Sequence, residues 1–150
     1  MVDWVRTHLP RIDMLLAIAA GAAIGAPARF ALTQIIGVHP AGFPLATLTV
    51  NITGSFVLGL FLILTIERFP PTRYARPFFA TGLLGAYTTF STFAVEIDLL
   101  LKDGHVLMAV AYAIGSLTLG LTAAWAGMAI GRALPTRPTS KGAGRGDETR

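Results

Sequence analysis

Tyr87, Thr88, Thr89, Ser91 and Thr92 crowd hydroxyl groups into the middle of an apolar run, Phe78–Leu101, with Phe90 and Phe93 on either side of Ser91. Hydroxyls at that depth bind ions or other polar groups; alone they are weak nucleophiles. One or two would need no explanation, because Ser and Thr bond back to helix carbonyls cheaply in lipid. Five ask for more. Thr88, Thr89 and Thr92 are β-branched, and they follow Gly82 and Gly85, so helix propensity is low here. Two structures satisfy such a stretch. One is an unwound segment whose freed carbonyls coordinate a cation. The other is a continuous helix that satisfies its hydroxyls internally. Phe90 and Phe93, three apart, share a helix face. Their ring edges are weakly positive. Turned inward, those edges tolerate a small anion; turned outward, they pack against lipid or core.

Other polar residues stand inside apolar runs. Asn51, within "TLTVNITGSF", carries two donors and an acceptor. It can donate to an anion or tie two helices together. Thr47 and Ser55 lie four residues to either side and share its face. Tyr112, Ser116 and Gly120 form a similar stripe, either a helix contact or a second polar wall. Arg29, in "GAPARF", is the one basic residue within or near the far end of a span. At the bilayer centre it would cost roughly 2.5–3.5 kcal/mol. Near the end it snorkels for less, or it offers a positive charge to anions at an aqueous mouth. Asp98 and Lys102 are spaced to pair. Glu96 can pair or take a proton.

Enzyme chemistry has little to draw on. The 150 residues include no cysteine, which removes thiol catalysis, disulfides and thiolate metal sites. His8, His39 and His105 fall in terminal or loop positions. No Walker motif, HExxH or Ser/His/Asp set is present. There is no arginine series for voltage sensing and no TVGYG filter.

The elements that must position these residues are membrane helices. The chain is 53% hydrophobic and 13% charged, with a mean hydropathy of +0.63; soluble chains average about 25% charged. The net charge of +4 comes from cations that flank the spans, as expected beside anionic headgroups and not for nucleic-acid binding. The length suits one domain. A spanning helix needs about 20 apolar residues. Four segments qualify: Met14–Ile36, Leu45–Ile66, Phe78–Leu101 and Val106–Ala133. Residues 1–13 read as a short interfacial segment, and 134–150, rich in Pro, Gly and charge, as a disordered tail. "KDGH" reads as a tight turn between the third and fourth spans. "GAAIG" and "GMAIG" are small-residue pairs suited to close helix contact. With four spans, both termini and the second loop share a side. That side holds Arg6, Arg11, Arg68, Arg73, Arg76, Arg132 and the basic tail, against Lys102 opposite. The bias places both termini in the cytoplasm. Four small helices enclose little space, so a polar pathway calls for oligomerisation.

"GAPARF", "TLTVNITGSFVLG" and "GLLGAYTTFSTF" together resemble the Fluc (CrcB) fluoride-channel family, and the resemblance covers about residues 14–133. It implies an all-α membrane protein of four spans with the third broken at mid-membrane. Two copies would pack antiparallel in a bacterial inner membrane and enclose two narrow pores that export fluoride passively. It implies a structural sodium ion at the dimer centre, held by carbonyls matching Gly85 and Thr88. Phe90 and Phe93 match the paired pore phenylalanines, Asn51 the pore asparagine, Tyr112 and Ser116 the polar wall, and Arg29 the vestibule arginine. Thr89 joins these as a pore hydroxyl. The charge bias departs from members that insert both ways, and admits a partner chain of opposite orientation in place of the homodimer. The competing reading is a small four-span dimeric multidrug or cation exporter, for which Glu96 would be the membrane carboxylate. A third is a purely structural subunit.

Overall fold

A computed structural model describes residues 12–37, 42–67 and 72–134. All but the first residue of the expected disordered tail, and nearly all of the N-terminal interfacial segment, lie outside the described residues. Helix α1 runs Ile12–Ile36 and α2 Leu45–Glu67. The third span opens as a π-helix, Pro77–Leu84, continues as α3, Gly85–Tyr87, and resumes as α4, Phe90–Lys102. The last helix, α5, is Val106–Ala133. All four spans are long and apolar enough to cross a membrane, as their composition predicts, and the chain is a multi-pass membrane protein. The expected break is present. It falls at Thr88 and Thr89, near the middle of the third span. The π-helix before it is a finding that composition did not signal, since its wider i→i+5 bonding leaves no mark on residue type.

Small residues decide which helices touch. Helix α1 lies along the π-helix and α3, and α2 lies along α5, while α4 leans on α5. A Cβ on Gly25 would overlap the Leu83 carbonyl, and one on Gly127 would overlap the Phe56 carbonyl. Both small-residue pairs are thus contacts within one chain. Lipid supplies no hydrophobic drive between helices, so close backbone approach carries the packing. Gly25→Ala should therefore lower the melting temperature in detergent, at a cost of about 1–3 kcal/mol, because a backbone carbonyl cannot swing aside. Gly115→Ala, where an added Cβ meets nothing within 4 Å, should leave it unchanged.

Polar contacts fasten the two ends. At the end holding the start of α1, Arg73 pairs with Asp13 and stacks over the Tyr74 ring. The Tyr74 hydroxyl donates to Asp13 at 3.0 Å, and Arg132 meets Glu67 at 3.5 Å. At the other end the expected Asp98–Lys102 pair forms at 2.6 Å. The turn beyond it is tight, as the sequence suggests. Gly104 sits at φ 80°, left-handed backbone that glycine adopts without Cβ strain. His105 donates its backbone N–H to the Leu100 carbonyl at 2.8 Å.

Candidate functional site

The third-span break is the centre of the site. Thr88 (φ −78°, ψ 160°) and Thr89 (φ −146°, ψ 120°) are extended. Helix bonding fails there, yet the hydroxyls do not go to waste. Thr88 Oγ1 donates to the Leu84 carbonyl at 2.9 Å. Thr89 Oγ1 caps α4 by accepting from the Thr92 N–H at 3.2 Å, and it donates to the Thr92 hydroxyl at 2.9 Å. An N-cap threonine of this kind satisfies one of the donors a helix start leaves orphaned. The two structures left open by the sequence therefore both hold in part: the helix is broken, and most of its hydroxyls are satisfied locally.

Helix α2 runs beneath the break. A Cβ on Gly54 would overlap Thr88 Cγ2, so glycine lets the break settle onto α2. Asn51 Nδ2 donates to the Thr89 carbonyl at 3.0 Å, and its Oδ1 accepts from the Thr89 N–H at 2.9 Å. Tyr87 reaches Thr53, hydroxyl to hydroxyl, at 2.8 Å. Of the two roles open to Asn51, tying helices together is the one its contacts display. One amide hydrogen remains beyond these bonds.

Two cavities flank this junction. The smaller, about 410 Å³, is lined by Asn51, Ser55, Gly85, Thr88, Thr89, Phe90, Phe93 and Ser116. Residues from three spans that the sequence singled out therefore surround one space. The larger, about 640 Å³, is lined by Arg29, Thr33, Thr47, Thr89, Thr92 and Glu96 among others. Thr89 borders both. Arg29 belongs to the larger cavity and is not brought to Asn51 and the phenylalanines.

The two phenylalanines differ sharply. Phe93 is buried, while Phe90 is 78% exposed on the single chain. Their ring centroids are 5.8 Å apart at an interplanar angle of 43°. Phe93 also packs on Tyr112, at 5.2 Å. Ser116 Oγ is buried and has no hydrogen-bond partner of normal geometry among the described residues.

Tyr112 does not line the smaller cavity. It is fully buried, and its hydroxyl donates to Glu96 Oε2 at 2.6 Å. Thr47, also buried, donates to Glu96 Oε1 at 2.7 Å. Sequence reasoning named all three residues and missed that they meet. A signal was present: an acid within a span needs a partner. Thr47 lies early in α2, Tyr112 early in α5 and Glu96 late in the third span, so all three share one depth.

The family model described as CrcB-like protein, Camphor Resistance (CrcB), matches residues 16–128. A Deinococcus radiodurans protein named fluoride-specific ion channel FluC is 48% identical over 119 residues, 78% of this chain and 94% of the relative. A Paracoccus denitrificans protein of the same name is 40% identical over 119 residues, 79% of this chain and 94% of the relative. The Streptomyces avermitilis fluoride-specific ion channel FluC 3 is 46% identical over 122 residues, which cover 81% of this chain but 60% of that relative's length.

Proposed function

The chain belongs to the CrcB family, and we propose that it works as a fluoride-selective channel through which the ion leaves the cell passively. The observation that carries this reading is the convergence of Asn51, Ser116, Phe90 and Phe93 on one cavity beside the break. Fluoride is small and strongly hydrated, so a pore must replace its water with donors. Ser116 Oγ, buried without a hydrogen-bond partner of normal geometry among the described residues, can turn its hydroxyl to that purpose, and Asn51 has the amide hydrogen that Thr89 does not use. Ring edges add weak attraction without a full charge that would trap the ion. Several weak sites in series permit exit as well as entry. Arg29, on the larger cavity, draws anions towards Thr89, the residue common to both spaces. Tyr112 acts from behind, as support for the Phe93 ring.

The functional unit in this reading is an antiparallel homodimer in a bacterial inner membrane, with two pores. Phe90, exposed on one chain, is then covered by the second. The break would hold a structural sodium ion through backbone oxygens. The donor set fits: among the described residues no backbone bond from outside the helices falls on the Gly85 or Thr88 carbonyl. Bound there, sodium would supply charge that fixes the unwound backbone.

Purified protein in liposomes loaded with fluoride or chloride tests the proposal. Fluoride should escape rapidly and chloride scarcely. Equal loss of both ions, or of neither, would overturn it.

A further inference from the structure

Unwound backbone at mid-span needs partners from elsewhere, because lipid offers none. Thr89 has lost the helical partner of its N–H, and its carbonyl is the N-cap acceptor that opens α4. One side chain on another helix replaces the first and adds a bond to the second. Asn51 donates to the carbonyl at 3.0 Å and accepts from the N–H at 2.9 Å. The orientation of the amide follows, since a flipped carboxamide would set donor against donor and acceptor against acceptor. The contact resembles the two-point pairing of neighbouring β-strands, made here by a side chain. It is selective along the break. Asn51 holds Thr89 at both polar groups, whereas among the described residues no backbone bond from outside the helices reaches the Gly85 or Thr88 carbonyl.

We propose that Asn51 is a positioning residue for the third-span break: by clipping the backbone of Thr89 from α2, it keeps the segment extended and determines which carbonyls stay available to a small cation. The break is thus written partly in the second span and not only in the threonines of the third. Its mechanical half stands alone; its cation half rests on the sodium reading above. Asn51 in this role links the anion cavity to the backbone oxygens, since one side chain touches both.

The test uses full-length protein in detergent and compares Asn51→Asp with Asn51→Leu. The aspartate keeps an acceptor for the Thr89 N–H and loses the donor to its carbonyl; the leucine loses both. Amide hydrogen exchange over residues 84–92 should accelerate roughly tenfold or more in each variant, more in the leucine, with α5 unchanged. The rise in melting temperature on exchanging N-methylglucamine for sodium should shrink in parallel. If Asn51→Leu fails to fold, the aspartate variant carries the test by itself. Unaltered exchange and an unaltered sodium effect, with fluoride efflux lost, would overturn the proposal and leave Asn51 as an anion ligand only. Faster exchange, with no sodium effect even in the parent protein, would uphold the clip and overturn its cation half.

Discussion

Phe90→Ile should cut fluoride efflux from liposomes roughly tenfold or more, equivalent to ~1.4 kcal/mol on the barrier, while the protein stays folded and monodisperse. The two effects separate because of where Phe90 lies. Its side chain lines the smaller cavity, yet 78% of its surface is exposed on the single chain. Removing the ring therefore leaves no void in the subunit's own packing. Isoleucine keeps an apolar side chain of somewhat smaller size and deletes the ring's charge distribution. Phe93→Ile is the contrasting case. Phe93 is buried against Tyr112, so a loss of flux there would mix pore chemistry with packing. Normal efflux through Phe90→Ile would remove ring edges from the permeation path.

Glu96→Leu should be the most damaging single change to folding. Its carboxylate receives the hydroxyls of Thr47 and Tyr112 at 2.7 and 2.6 Å. Both donors are buried. Leucine leaves both orphaned, at about 1–3 kcal/mol each, and joins three spans less firmly. Glu96→Gln should be far milder. Its carboxamide oxygen can accept from one hydroxyl while its NH₂ donates to the other. Melting curves in detergent compare the two. The glutamine variant also separates the channel from a proton-coupled exporter, which needs a titratable acid. Fluoride efflux that survives Glu96→Gln supports the channel. Transport abolished by Glu96→Gln and kept by Asn51 variants would favour the exporter.

The four spans were legible from composition because lipid demands long apolar runs; their ends fall within about two residues of the expected ones. The break was only half legible: glycine and β-branched residues declare low helix propensity but fit a continuous helix as well, and the resemblance of "GLLGAYTTFSTF" to a known motif decided between them. What composition could not supply was partners. Asn51 has two sensible uses, and only the position of Thr89 in space decides what it touches. The Thr47–Glu96–Tyr112 group was hidden for the same reason. Its members are far apart in sequence, and their meeting depends on depth and helix order. Tyr112 and Ser116, four residues apart, read as one stripe. Yet Tyr112 turns to Glu96 and Ser116 faces the cavity. Arg29 and Asn51 likewise proved to serve different spaces.

The π-helix at Pro77–Leu84 has a consequence for how such a span can change over time. An ordinary helix that gains a residue swings everything downstream by about a quarter-turn, which would carry Thr88 and Thr89 away from Asn51. A wider coil upstream absorbs the surplus. An extra residue in that stretch thereby goes into girth and not into rotation, and the aim of the ion-handling groups beyond it is kept.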